Sequence, residues 1–188
     1  LRHLSTSEGT RIIDALEALP EQIEQTLKLS NQIKEIAKKY RSAKGMLFFG
    51  RQFNFPVALE GALKMKEITY LFAEGHPSAE LKHGIIALVS PQLPSVFITP
   101  EDSVFSKNVN NIEQVKARKG PIIAITSGNG AARLADIAGD IITLPNVPEF
   151  ISPILTAIPL QLLAYHLAVE LGCDVDKPRN LAKSVTVE

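Results

Sequence analysis

Short apolar runs that recur between segments of helical periodicity constrain this fold more than any other feature of the chain. The runs cover residues 46–49, 95–99, 121–126 and 140–144. A continuous apolar run of this length is typical of a strand buried on both faces of a parallel sheet. Strands that alternate with helices at these spacings predict an α/β fold, namely a three-layer αβα sandwich with a mostly parallel sheet of flavodoxin or Rossmann-like topology.

The segments between the strands show the periodicity and the start and stop residues of helices. The predicted helices cover residues 11–19, a second stretch from Pro20, and then 56–72, 103–118, 131–138 and 151–171. The 188 residues are 45% hydrophobic, which is enough apolar material for one sizeable core. With no internal repeat or linker, we expect a single domain over residues 1–188, in which residues 173–188 form a C-terminal tail.

Charge and cysteine content exclude several classes of function. Lys plus Arg equals Asp plus Glu at 20 each, so no strong field favours nucleic acid or a membrane surface as a partner. The single cysteine, Cys173, forms no intrachain disulfide and belongs to no Cys/His metal pattern, which favours the cytoplasm and a site without a metal. No apolar run approaches the roughly 18 residues of a membrane span, so we expect no membrane segment.

One helix carries ionisable groups at a spacing that brings them together. Glu60, Lys64 and Glu67 fall at i, i+4 and i+7, and therefore project from one side of the predicted helix. Such a stripe either lines a polar cleft or forms ordinary ion pairs on a solvent-facing surface of the helix. The next segment, AELKHG, adds Glu80 and His83 in a short loop. Carboxylate, amine and imidazole together supply the groups that a proton-transfer site needs.

Two further segments have alternative interpretations. TSGNGAA, residues 126–132, offers hydroxyls and glycine amides before a helix and resembles a phosphate cradle, but the signal is weak and we interpret the segment as a turn with a helix cap. The terminal KPRNLAKSVTVE lacks helical periodicity. On its residues alone it is either an extension packed on the surface or a frayed end.

Three motifs, in order along the chain, resemble one known family. ALEGALKMKE, AELKHG and DVDKPRNLAKSVTVE are similar to the second sugar isomerase (SIS) half of the glucosamine-6-phosphate synthases, the glutamine:fructose-6-phosphate aminotransferases. The similarity covers nearly the whole chain. It implies an enzyme that converts fructose 6-phosphate and glutamine-derived ammonia into glucosamine 6-phosphate by ketose–aldose isomerisation, without a cofactor.

The resemblance assigns roles to matched positions. It implies that His83 assists opening of the sugar ring, reaching across from a neighbouring subunit, and that Lys183 forms a Schiff base with the open-chain ketose. Glu67 matches the carboxylate that moves a proton between C1 and C2, and Lys64 matches the lysine that handles the hydroxyl proton. Glu60 and Ala182 match positions that orient these groups or contact the sugar.

The resemblance also implies what this chain lacks. Because Leu1 is not an initiator methionine and the similarity begins partway along a longer enzyme, we expect an excised part of a homodimeric protein that also has a first SIS half and a glutaminase domain. Phosphate-binding SIS domains hold phosphate in a serine-rich loop after the second predicted strand, where this chain has TPEDS. Glu101 and Asp102 there would repel a phosphate, so we expect the first half to bind it. A regulatory phosphosugar-binding module is the alternative function.

Overall fold

Five parallel strands form one sheet in residues 4–181, the part of the chain that the computed structural model describes. They are β1 (Gly45–Gly50), β2 (Phe72–Pro77), β3 (Ser95–Ile98), β4 (Ile122–Ser127) and β5 (Asp140–Leu144). Their order across the sheet is β2-β1-β3-β4-β5, and every neighbouring pair is parallel. This is the flavodoxin-like order, so the predicted fold class is confirmed.

Helices cover both faces of this sheet and make the three predicted layers. They are α1 (Thr6–Glu17), α2 (Leu19–Leu27), α3 (Ser30–Lys39), α4 (Asn54–Thr69), α5 (Phe105–Lys116), α6 (Gly130–Leu134) and α7 (Ser152–Glu170). One face packs against α3, α4 and α7, and the other against α5 and α6. Two 3-10 turns, Ser78–Glu80 and Ile85–Leu88, lie between β2 and β3.

Strand β1 shows why the apolar runs form the centre of the fold. Met46 and Phe48 join the core on the side of α3, α4 and α7, whereas Leu47 and Phe49 join the core on the side of α5. All four side chains are fully buried. Successive residues of a strand point to opposite faces, so a strand between two helical layers needs apolar residues at every position.

The edge strand β2 was not predicted. The sequence indicated a helix as far as residue 72 and no strand between that helix and residue 95, but α4 ends at Thr69 and residues 72–77 pair with β1. A glycine and a proline interrupt the apolar pattern of this strand. Both are tolerated here because an edge strand needs ladder hydrogen bonds on one side only.

Helix α7 corrects the expectation that no segment has the length and composition of a membrane span. An 18-residue window of this 19-residue helix has a mean hydropathy of 1.4. Half of this span is buried within the domain, where α7 packs against α3 and α4. Its apolar character therefore has a sufficient explanation as the central helix of one layer.

The packing of α4 on β2 predicts a strong effect at Gly75. A Cβ atom added there would lie 2.7 Å from the Ala58 carbonyl oxygen and 2.8 Å from the Leu59 Cα, which are backbone atoms that cannot rotate away. We expect Gly75→Ala to lower the free energy of unfolding by about 1–3 kcal/mol, as overpacking does in other cores. Urea unfolding of the chain measures this.

Gly9 provides the matched control for Gly75. It lies inside α1, and an added Cβ would meet nothing within 4 Å. Gly9→Ala should leave stability unchanged or raise it by up to about 1 kcal/mol, because alanine is the better helix former. Equal unfolding midpoints for the two variants would contradict the close approach of α4 to β2.

Candidate functional site

The predicted ionisable stripe is present on α4. The Lys64 Nζ donates a hydrogen bond of 2.6 Å to Glu67 Oε2 and lies 3.8 Å from Glu60 Oε1. The opposite side of the helix buries Val57 and Met65 in the core, which fixes the direction of the charged side. The Glu67 side chain is 28% exposed and Glu60 is 41% exposed, so the stripe lies on an accessible surface.

The electrostatics of this stripe keep its lysine charged. The hydrogen bond to Glu67 raises the pKa of Lys64 above its ordinary value, although partial burial acts in the opposite direction. At neutral pH, Lys64 is therefore an ammonium and a proton donor rather than a nucleophile. A carboxylate in hydrogen-bond contact with a proton donor can serve proton transfer, but ion pairs of this spacing are also common on ordinary helices.

The AELKHG loop presents its histidine to solvent. The His83 side chain is 74% exposed, and its Nε2 lies 4.0 Å from Glu80 Oε2. The loop itself is anchored, because Leu81 is fully buried and the Ser78 hydroxyl donates a 2.5 Å hydrogen bond to Asn108 Oδ1 of α5. Within residues 4–181, no hydrogen bond or ion pair joins His83 to the α4 stripe.

The described part of the C-terminal tail folds back onto the end of α4. After α7 the chain turns at Gly172, which has a φ of 72°, and Asp174 Oδ1 accepts hydrogen bonds from the backbone N–H groups of Asp176 and Lys177. The Arg179 N–H then donates a 2.9 Å hydrogen bond to the Tyr70 hydroxyl. Up to this point the tail is therefore packed rather than frayed.

Two predicted site residues cannot be placed. Ala182 and Lys183 lie outside the described residues, so their roles stay predictions. Conversely, Tyr70 and Arg179 received no role from the sequence. Their contact joins positions 109 residues apart, and no local pattern signals such a pair.

The loops after β3 and β4 form hydrogen bonds with each other, so they do not leave an open site for a phosphate. Glu101 Oε2 accepts a hydrogen bond from the Asn129 N–H, and the Glu101 N–H donates to the Ser127 hydroxyl. Gly128 turns with a φ of 55°, and a Cβ there would lie 2.4 Å from Glu101 Oε2. A carboxylate thus contacts the amide that a bound phosphate would need, in agreement with the interpretation of TSGNG as a turn.

The neighbouring acidic group strengthens this conclusion. Burial raises the pKa of Asp102, and the nearby Glu149 carboxylate acts in the same direction. The hydrogen bond that Asp102 accepts from the Val104 N–H partly offsets both effects. The carboxyl groups of Glu101, Asp102 and Glu149 thus lie together at this edge of the sheet, and their proximity disfavours a phosphate there.

One cavity lies away from these groups, at the end of the sheet where the strands begin. It has a volume of about 540 Å³ and lies where β3 and β4 begin, between Pro94, Pro121 and the ends of α3 and α5. Ligands of open parallel sheets bind instead beyond the carboxyl ends of the strands. The position of the ionisable groups therefore favours the open surface of α4, rather than this cavity, as the candidate site.

Comparison with known proteins agrees with the fold and the motifs. A model of the SIS domain family matches residues 39–171, a range that contains all five strands and the α4 stripe. The chain belongs to the SIS domain family. The predicted resemblance to this family is confirmed.

Close relatives of this SIS domain share a single description. The chain is 50% identical over 185 residues to the glutamine–fructose-6-phosphate aminotransferase (isomerizing) of Mesorhizobium japonicum, which covers 98% of the chain and 30% of that protein. The protein of the same description from Aquifex aeolicus is 48% identical over 183 residues, covering 97% of the chain and 31% of the relative. The SIS domain therefore spans about 30% of the length of the curated relatives it matches.

Solved structures support the same assignment. The C-terminal domain of glucosamine-fructose-6-phosphate aminotransferase from Francisella tularensis superposes with a TM-score of 0.89 and 35% identity, covering 93% of this SIS domain and 49% of that chain. The sugar isomerase domain of an RpiR transcription factor from Sphaerobacter thermophilus gives a TM-score of 0.67 at 18% identity, covering 85% of this chain and 90% of that one. The second likeness shows a shared fold alone.

Proposed function

We propose that this SIS domain is the C-terminal isomerase part of an enzyme that makes glucosamine 6-phosphate from fructose 6-phosphate and glutamine-derived ammonia. The observation that carries the proposal is the α4 stripe, in which Glu67 accepts a 2.6 Å hydrogen bond from a charged lysine on an accessible surface. The isomerising aminotransferases, about 50% identical over 98% of the chain, supply the substrate class.

The first steps make the sugar reactive. His83 moves the proton that opens the sugar ring and leaves a ketone at C2. The neutral amine of Lys183 attacks this carbon, and loss of water gives an imine. Ammonia then attacks the same carbon and releases Lys183, which leaves the nitrogen of the product at C2.

The isomerisation follows at the stripe. Glu67 takes a proton from C1 and returns it to C2, while Lys64 handles the proton on the C1 hydroxyl oxygen. These transfers convert the imine of a ketose into an amino aldose without an external oxidant or reductant. Glu60, 3.8 Å from Lys64, orients the ammonium, and Ala182 contacts the sugar.

The open surface around the stripe indicates where further parts of the enzyme belong. The phosphate is held by a first SIS half, because Glu101 already contacts the amide of Asn129 in this one. His83, 74% exposed, acts on the sugar bound by a second subunit of a cytoplasmic homodimer. The glutaminase domain that releases ammonia is a separate part of the same enzyme.

Because this SIS domain is proposed to be one part of the enzyme, we expect the 188-residue chain and the full-length protein to differ in activity. We expect the full-length protein to form glucosamine 6-phosphate from fructose 6-phosphate and glutamine, and the 188-residue chain to form none above background. Product quantification by mass spectrometry, with glutamine omitted as the control, measures both. Robust glutamine-dependent turnover by the chain alone would contradict the proposal that other parts of the enzyme release ammonia and hold the phosphate.

A second candidate is a phosphosugar-binding regulatory module. The acidic edge formed by Glu101 and Asp102 lacks the serine-rich loop of a self-sufficient sugar phosphate isomerase, and the fold is shared with the sugar isomerase domain of a transcription factor. A module of this kind would bind sugar phosphate without turnover. Substitution of Glu67 distinguishes the two functions.

A further inference from the structure

Two contacts join the C-terminal tail to the residue that ends α4. The backbone N–H of Arg179 donates a 2.9 Å hydrogen bond to the Tyr70 hydroxyl, and the Arg179 guanidinium lies over the Tyr70 ring, 4.0 Å from its centroid. We call this pair the Tyr70–Arg179 clamp. A polar contact and a cation–π contact to one side chain fix both the position of the tail and the direction in which it leaves.

The backbone of Tyr70 has a conformation that a bulky side chain rarely adopts. Tyr70 has a φ of 61° and a ψ of 11°, the left-handed conformation that ends many helices. Glycine or asparagine is the ordinary residue there, and a bulky side chain is an outlier. Such outliers persist only where the surrounding structure holds them, and the two contacts with Arg179 help to hold Tyr70.

The clamp lies next to the α4 stripe. Tyr70 follows Glu67 by three residues, which is less than one helical turn. Lys183 follows Arg179 by four residues, and four residues of fully extended chain span at most about 14 Å. The clamp fixes Arg179 at the end of α4 that carries Glu67, and the length of the chain alone then limits how far Lys183 can be from that end.

The path to the clamp is also fixed locally. Gly172 provides the left-handed turn after α7, and Asp174 accepts the two backbone hydrogen bonds of Asp176 and Lys177, each 3.0 Å long. These turns direct the chain from the end of α7 to the end of α4. Local hydrogen bonds therefore hold the tail along its course before it reaches the clamp.

We propose that Tyr70 and Arg179 are positioning residues that hold the C-terminal tail so that Lys183 reaches the sugar bound beside Glu67. This inference rests on the proposed function, because it takes Lys183 as the imine-forming amine. Neither residue reacts. Their effect is on how often the amine is close enough to attack C2, which is the step that orientation accelerates.

Borohydride trapping in the full-length protein tests the clamp. The imine between Lys183 and fructose 6-phosphate takes up hydride from borohydride and becomes a stable secondary amine, which peptide mass spectrometry assigns to a particular lysine. Tyr70→Asn removes the ring and keeps a residue suited to the left-handed conformation. We expect it to slow trapping about tenfold, and Tyr70→Phe to slow it about threefold, because only the hydrogen bond is lost.

Further variants separate positioning from general loss of structure. Arg179 is exposed, so Arg179→Ala removes the cation–π contact without touching the core. Its backbone N–H can still donate to the Tyr70 hydroxyl, so Arg179→Ala should slow trapping less than Tyr70→Asn, by about threefold. Tyr165→Phe on α7 removes a hydroxyl from a 46% exposed tyrosine elsewhere and should change nothing. A positioning role predicts a lower kcat with an unchanged KM for fructose 6-phosphate, and faster removal of the tail by carboxypeptidase.

The outcomes distinguish the clamp from the proposed function. Labelling of Lys183 that is slowest in Tyr70→Asn, and intermediate in Tyr70→Phe and Arg179→Ala, supports the clamp. Equal labelling in all of them would overturn the clamp and leave the proposed function intact. Absence of a Lys183 adduct in the unaltered protein would overturn both.

Discussion

Glu67→Gln in the full-length protein is expected to lower the turnover of fructose 6-phosphate by about 10²- to 10⁴-fold, the usual contribution of a positioned acid–base group. Glutamine keeps the shape of the side chain and still accepts a hydrogen bond from Lys64, but it cannot take a proton from C1. Sugar binding should be retained. Steady-state kinetics together with calorimetric titration of fructose 6-phosphate measure the two effects separately.

The chain contains a matched control for this substitution. Glu35 and Lys38 form another Glu–Lys pair three residues apart on a helix, with a 2.7 Å hydrogen bond nearly identical to the 2.6 Å bond of Lys64 and Glu67. Glu35→Gln removes the same kind of contact and should leave turnover unchanged. Unchanged turnover in Glu67→Gln as well would reject catalysis at the stripe and favour the regulatory module.

The same substitution has a predictable pH signature. Glu67 is the main cause of the raised pKa of Lys64, so the pair stabilises the folded state while Lys64 is charged. This stabilisation is fully present below the ordinary lysine pKa and is lost as the pH rises through the higher pKa of the folded state. Glu67→Gln should therefore reduce stability slightly at neutral pH, and the difference from the unaltered protein should disappear in strongly alkaline solution.

Lys183→Arg is expected to abolish the borohydride-trapped adduct and to lower turnover by about 10³-fold or more, since loss of a nucleophile costs other enzymes up to about 10⁶-fold. Arginine keeps the positive charge, but its guanidinium does not deprotonate and so cannot form the imine. Mass spectrometry of the trapped protein and product quantification are the measurements.

The tail itself offers the control for Lys183. Lys177 is an exposed lysine of the same segment, and its structural contact is a backbone hydrogen bond to Asp174 that any side chain would keep. Lys177→Arg should leave the adduct and the turnover unchanged. An adduct that persists in Lys183→Arg, on Lys64 or another lysine, would reject the assignment.

The sequence predicts most of this fold because its strongest signals are local. The apolar run of β1 and the periodicity of α4 each follow from what one element must bury, and the stripe at Glu60, Lys64 and Glu67 follows from helical spacing alone. Strand β2 was missed because Gly75 and Pro77 break its pattern, and its strand character depends on pairing with β1. That pairing is a tertiary contact.

Contacts between segments that are distant in the chain could not be predicted from the sequence either. Nothing near Tyr70 indicates Arg179, and nothing in TPEDS indicates that Glu101 contacts the amide of Asn129. Helical spacing placed the three charged side chains on one surface, but it could not show whether Lys183 meets them, and that residue lies outside the described part of the chain. The roles of the site residues therefore depend on experiments with the sugar.

The hydrogen bond that Glu101 accepts from Asn129 has a consequence for how the domain responds to metabolites. A ligand that binds only the folded state stabilises it by an amount that grows with the logarithm of the ligand concentration once the site is largely occupied. Here the anion is covalently part of the chain, so the loop between β4 and α6 is satisfied whether or not sugar phosphate is abundant. The order of this loop should therefore not depend on the concentration of sugar phosphate.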